Sequence, residues 1–369
     1  MKLPENFLER LIELNAEIQQ CPAPSYQEQK RAALIETKFL EHGLLDVSTD
    51  HVFNVYGRLP GAGGKPLMIS AHLDTVFPDT NGLSFERKDG RLCGPGIGDN
   101  SLGVTGLFGI LWMLQVNKVK PQGDIWFVGN SCEEGLGDLR GMKAVVERFG
   151  AEPLAYLVLE GMGVERIVNA GLGSKRFLVE VVTQGGHSWG DYGKPSAIHE
   201  MVRLCNSLLR VRIPRKPPTS FNIGKINGGT SVNTIAGKCN VELDLRSVDA
   251  TVLNKTADSI LRIVESFNSE TVTVTATPIG DRPTGMLPRN HPLVNLAKRA
   301  LKKQKFKAAI EISSTDCNIP LSQGIPSICL GITHGKFAHT YDEYIELDPV
   351  IPGMKQLYEV VTRVWKTLG

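Results

Sequence analysis

Near the start of the chain, Phe7, Leu8, Leu11, Ile12 and Leu14 recur among charged residues. That spacing describes an amphipathic helix rather than the unbroken apolar block of an export signal. Residues 48–75 then carry two apolar runs, HVFNVYGRL and PLMISAHLDTV, divided by the turn-forming GAGGKP, which predicts buried strands. GDNSLGVTGLFGILWMLQ reads as a loop entering a buried helix; its apolar stretch, 102–116, is short for a membrane span and is broken by glycines. GDIWFVGNSCEEG and LAYLVLEG are further buried strands, each ending in polar residues and glycine. Strands alternating with helices predict an α/β sheet, whose ligand sites lie at the carboxyl ends of its strands.

The pattern changes after Gly173. KRFLVEVVTQ alternates as a half-buried strand, PSAIHEMVRLCNSLLRV is helical, and SFNIGKING and KCNVELDLRS are strands. ATVLNKTADSILRIVESF is helical again and ETVTVTATP a strand, so the order βαββαβ predicts a ferredoxin-like module. After the proline-rich DRPTGMLPRNHP, a new helix (HPLVNLAKRALKKQ) and a buried strand (SICLGI) resume the first domain. The expected division is therefore 1–173 with 283–369 as one domain and 174–282 inserted as another.

Composition narrows the partners. With 41 Lys+Arg against 39 Asp+Glu over 369 residues, the chain lacks the charge excess that nucleic acid or an anionic membrane attracts, so a small-molecule partner is expected. Its seven cysteines are scattered, with no C-x-x-C pair, which argues against a disulfide framework or thiolate zinc site and suits a reducing cytoplasm.

The polar residues at the strand ends are the candidate chemistry. His72 and Asp74 lie two apart in SAHLDTV, so one can ligate a metal while the other fixes its ring, or the pair is simply hydrogen-bonded. Asp99, in the glycine-rich GPGIGDNSLG, either caps the following helix or serves a site; a phosphate loop fits poorly, because G-K-[ST] is missing. Glu133 and Glu134 would point to opposite faces of a continuing strand, and Gly135 and Gly137 allow the bend that brings both to one place. Glu160 follows so apolar a run that it needs a cation or a surface. His339, with His334 as competitor, is the candidate histidine of the last third. In order, these supply two histidines and three carboxylates as ligands with one carboxylate to spare, a hard set suited to zinc, manganese or cobalt.

SAHLDTV, GPGIGDNSLG, CEEG, LEG and AHTYDE, together with PAPSYQEQ near the start, resemble in sequence and order the motifs of the M20 metallopeptidases, and the resemblance spans nearly the whole chain. It implies a zinc-peptidase-like α/β catalytic domain with a mixed central sheet flanked by helices, interrupted by a lid and dimerisation domain. It further implies two divalent metals, zinc or else cobalt or manganese, bridged by Asp99, with His72 and Glu160 completing one site and Glu134 and His339 the other. Asp74 would orient His72, and Glu133 would act as general base. A cis peptide is expected between Asp99 and Asn100. GGHSWGDYGKPSAIH resembles the family's lid motif, so His187 would reach the partner subunit's active site and stabilise the oxyanion, while Asn233 and Arg246 would hold substrate. The implied reaction is cleavage of a peptide or N-acyl amide bond beside a free carboxylate, by a cytoplasmic homodimer. Glu160 leans toward the carboxypeptidase and acylase side, whereas SSTDCNIPLSQGIPSICLGI leans toward the peptidase T branch; an aminopeptidase of tripeptidase type and a catalytically silent relative are the alternatives.

Overall fold

In the computed structural model of the chain, which describes residues 1–78, 83 and 85–369, the long apolar runs stand side by side in one mixed sheet. Seven of its strands follow one another in the order Leu45–Thr49, Val55–Leu59, Gly123–Asn130, Gly64–His72, Tyr156–Met162, Ser327–Thr333 and Arg166–Gly171, and Ala309–Ser313 pairs in parallel with Arg166–Gly171. The inner strands 123–130, 64–72, 156–162 and 327–333 run parallel. Covered on both faces, they lose the apolar–polar alternation and read as near-continuous apolar runs. From 64–72 the chain crosses to 123–130 on one side and later to 156–162 on the other, so the winding reverses at this strand. Such a reversal leaves a crevice at the carboxyl ends of the strands, the place where open α/β sheets bind ligands.

The helix Gly103–Val116 is apolar all round because it is enclosed: it packs against strands 64–72 and 156–162 and against the helices Phe7–Gln19 and Val350–Leu368. By length and composition the segment Ile97–Val116 is apolar enough to cross a membrane, but here it lies within the core.

Leu172–Gly285 forms a separate compact unit, the other being Met1–Gly171 with Met286–Gly369. Its antiparallel sheet has the order Thr219–Gly228, Lys238–Ser247, Gly173–Thr183, Val272–Arg282, and the helices Ala197–Leu208 and Ala250–Glu265 pack against it. Val179, Val181, Leu204, Val241, Leu243 and Ile260 belong to its own core. The ends of the unit differ by a few residues from those read in the sequence. Strand Gly173–Thr183 already belongs to it from its first residue, and Thr284 donates its hydroxyl to the Val248 carbonyl at 3.2 Å, which carries the unit past Arg282.

A small antiparallel sheet had no counterpart in the hydrophobic pattern. Gly335–Lys336, Tyr344–Glu346, Arg91–Cys93 and Glu86–Lys88 pair in that order. It closes the loop 337–343, and it ties that loop to the strand that leads into the glycine-rich segment 94–99.

Candidate metal centre

The parallel strands deliver their polar residues to one edge. His72 ends strand 64–72, and the pairing of Ser70 with Val158 carries it level with Glu160 on the neighbouring strand. Beyond the end of strand 123–130 the chain turns at Cys132, which adopts φ 55, and again at Gly135, φ 51. The bend expected from Gly135 and Gly137 therefore begins earlier, at a non-glycine residue. What holds it is Asp74: its carboxylate accepts the Glu133 N–H at 2.9 Å, the Glu134 N–H at 2.9 Å and the Ser25 hydroxyl at 2.6 Å. Gly137 is needed for close approach, since a Cβ there would meet the Cys132 carbonyl oxygen at 2.7 Å.

Asp99 enters from the irregular turn Ile97–Leu102, where its own backbone (φ −108, ψ 89) departs from helical values and the Asp99–Asn100 peptide is cis, as the resemblance implies. Asn100 is fully buried and bonds the backbone on both sides of Glu160: its amide donates to the Leu159 carbonyl at 2.9 Å and its oxygen accepts the Gly161 N–H at 2.9 Å. This side chain thus fastens the Asp99 turn to the Glu160 strand. A Cβ at Gly103 would meet the Asn100 side-chain oxygen at 2.0 Å. Gly103→Ala is therefore expected to lower stability by about 1–3 kcal/mol, read as a lower urea midpoint at unchanged slope.

The resulting geometry centres on Asp99. Its Oδ1 lies 3.2 Å from His72 Nε2 and its Oδ2 lies 3.1 Å from His339 Nε2, so the two carboxylate oxygens face different imidazoles. His72 Nε2 is also 3.8 Å from Glu160 Oε2, and His339 Nε2 is 3.0 Å from Glu134 Oε1. Ligating atoms of His72, Asp99 and Glu134 lie within 4.8 Å of one another. His72 Nδ1 meets the Asp74 backbone carbonyl at 3.0 Å and its Oδ1 at 3.4 Å, which fixes the ring with Nε2 toward Asp99. His334 is elsewhere, its ring edge-on to Phe306 with centroids 6.1 Å apart.

The electrostatics call for cations. Asp99, Glu134 and Glu160 face the imidazoles of His72 and His339, and among the described residues none of these three carboxylates is paired with a lysine or arginine. Burial, only partly offset by His72 and reinforced by the neighbouring carboxylates Asp99, Asp316 and Glu134, pushes the Glu160 carboxyl up to about 8. His339 is pushed up to about 10 by its hydrogen bonds to Asp99 and Glu134. Burial opposes charge on His72, yet Asp74, Asp99 and the charges of Glu160 and Glu133 raise it well above its ordinary value. Burial would likewise raise Asp74, but His72, Ser25 and the Glu134 N–H hold it below the usual carboxylate range. Two imidazole nitrogens and several carboxylate oxygens with surplus negative charge are the donor set of a divalent-cation site, and they fit one.

The peptidase family M20/M25/M40 profile matches residues 68–363 of this sequence, the span that carries His72, Asp74, Asp99, Glu133, Glu134, Glu160 and His339. The chain belongs to this family. It is accordingly a hydrolase acting on C–N bonds in a metal-binding family. Acetylornithine deacetylase of Shigella sonnei is 25% identical over 337 residues, covering 85% of this chain and 84% of that one. The fold matches a tripeptidase from Staphylococcus aureus with a TM-score of 0.83 at 22% identity, over 97% of this chain and 99% of that one. A dinuclear metal-binding M20 peptidase from Bacillus subtilis matches with a TM-score of 0.69 at 16% identity, over 99% and 100%.

The remaining candidates of this M20 chain lie in the second unit. His187 is exposed, and its Nδ1 accepts the N–H groups of Trp189 and Gly190, each at 3.2 Å. In the neutral ring the proton therefore sits on Nε2, which makes His187 an outward donor. Asn233 is exposed and accepts the Ser231 hydroxyl at 2.6 Å. Arg246 donates from Nε to Asp244 at 2.7 Å, and Asp244 also accepts from Arg176 at 3.0 Å. Sequence reasoning assigned no side-chain role to Ser25, Asn100 or Glu343. All three stand inside quoted motifs, but their partners lie far along the chain, and only the fold supplies them.

Proposed function

We propose that this chain is a two-metal hydrolase of a peptide or N-acyl amide bond in a small substrate that bears a free carboxylate. The observation that carries this reading is Asp99, whose two oxygens face His72 and His339 with Glu160 beside one and Glu134 beside the other. On this reading Asp99 would be shared by two ions, with His72 and Glu160 holding one and Glu134 and His339 the other. The donor set favours zinc, with cobalt or manganese as alternatives. When bound, such a pair supplies Lewis-acid polarisation of the scissile carbonyl and activation of a water. Glu133, held through its backbone by Asp74 and outside the ligand set, takes the proton from the attacking water and passes it to the leaving nitrogen. Asp74 orients His72 and the Glu133–Glu134 turn together.

His187, as an Nε2–H donor, suits stabilisation of the oxyanion, in the partner subunit of a homodimer assembled through the second unit. Asn233 and Arg246 would hold the substrate, Arg246 by its fork on the carboxylate. With its cysteines free, the chain fits a reducing, cytoplasmic setting. The likeness to the Staphylococcus aureus tripeptidase, together with the segment SSTDCNIPLSQGIPSICLGI, favours tripeptides as a second substrate reading.

A panel of dipeptides, tripeptides, N-acyl amino acids and their C-terminally amidated counterparts tests the substrate class. Arg246→Ala is expected to lower kcat/KM about 10-fold or more for carboxylate substrates, the loss of a charge-assisted contact of roughly 1.5–3 kcal/mol, and to leave amidated ones little changed. Equal losses on both would return Arg246 to its ion pair with Asp244.

A further inference from the structure

The glycine-rich segment before Asp99 has the form of an anion-binding nest, a succession of backbone N–H groups turned to one point. Gly96 adopts φ 71, and at Gly98 a Cβ would meet Ile345 Cγ2 at 2.6 Å and Met162 Cγ at 2.8 Å, so neither position accepts a side chain readily. The nest is filled by the chain's own carboxylate. Glu343 Oε1 accepts the N–H groups of Gly98 at 2.7 Å and Asp99 at 2.8 Å, while Oε2 accepts that of Gly96 at 2.9 Å. Its carbonyl also accepts the Gly94 N–H at 2.9 Å. Glu343 is fully buried, and it lies four residues after His339, at the close of the loop between Gly335–Lys336 and Tyr344–Glu346.

We infer that Glu343 is a positioning residue: by binding three N–H groups of the Asp99 turn from the loop that carries His339, it sets the spacing between the ligand shared by both metals and a ligand belonging to one. The inference rests on the two-metal reading above and deepens it. Asn100 holds the same turn to the Glu160 strand from its other end, so the turn is fixed at both sides of Asp99. A carboxylate is required because three donors converge on two oxygens. Glutamine keeps the size but turns an N–H₂ group toward an N–H donor, which breaks the nest without emptying it.

The test is cobalt uptake by the metal-stripped full-length protein, followed by the visible absorption of bound Co2+ and by competition with a chelator. The wild-type protein is expected to take up two ions per chain. Glu343→Gln is expected to bind the pair about 10–100-fold more weakly, the range seen when an outer partner of a metal ligand is lost, and with an altered cobalt spectrum. A purely structural role predicts the opposite split, a lower Tm of the metal-free protein with affinity and spectrum unchanged, and that result overturns the inference. Should Glu343→Gln fail to fold, Glu343→Asp, which keeps the charge one methylene short, replaces it: weaker uptake supports positioning and wild-type uptake overturns it. A wild-type chain that takes up no pair of ions would instead remove the two-metal reading itself.

Discussion

Exhaustive chelation is expected to reduce hydrolysis to the rate of the uncatalysed reaction, and addition of zinc, cobalt or manganese is expected to restore it. The site without cations is a set of carboxylates and imidazoles that neutralise one another by sharing protons. His339 is pushed up to about 10 and Glu160 up to about 8 in that state, so near neutral pH both carry protons that a bound cation would displace. Metal uptake at pH 7 is therefore expected to release protons, measurable by calorimetry in two buffers of different ionisation enthalpy. Stability should follow the same linkage. A group whose folded pKa lies above its unfolded value favours the folded state below the unfolded pKa and loses that contribution as pH rises through the folded one. For the stripped protein this window runs from about 4.5 to 8 for Glu160 and from about 6.5 to 10 for His339, so its Tm should fall with rising pH. The loaded protein should show no such fall, because metal affinity grows as the ligands lose their protons. Full activity after stripping, with no metal detected, would leave the proposed mechanism without its electrophile.

The centre of this fold was legible because buried parallel strands leave a plain mark. Runs such as PLMISAH and LAYLVLE have no alternation, and each ends abruptly in a polar residue. A charged group at the end of such a run has few places to go except the crevice above the sheet. The βαββαβ order of the second unit was legible for the opposite reason: Lys238–Ser247 alternates strictly, one face buried and one half-exposed, which is the mark of a sheet covered on one side. What escaped was either short or distant. Gly335–Lys336 and Arg91–Cys93 are too brief to show a period, although they close the loop that holds His339. Asn100 and Glu343 act on backbone groups, which are the same at every residue, so no side-chain pattern identifies their partners. The cis peptide after Asp99 came from the resemblance alone, since neither periodicity nor composition bears on it.

Glu133→Gln should reduce kcat by about 10²–10⁴-fold, the usual contribution of a general base, with KM and metal content nearly unchanged. Glu133 and Glu134 are adjacent glutamates, each only 7% exposed and each with its N–H on the Asp74 carboxylate. Glu134 Oε1 meets His339 at 3.0 Å, which places it in the proposed ligand set, whereas Glu133 is near enough to His72 for its charge to raise that histidine. Glu134→Gln should therefore lose metal as well as rate, and added metal should recover part of the activity. No concentration of metal should rescue Glu133→Gln, since what it lacks is a proton acceptor beside the scissile bond. If the two phenotypes were exchanged, with metal lost at 133 and kept at 134, the base and the ligand would have to trade places, and Asp74 would be presenting them in the reverse order.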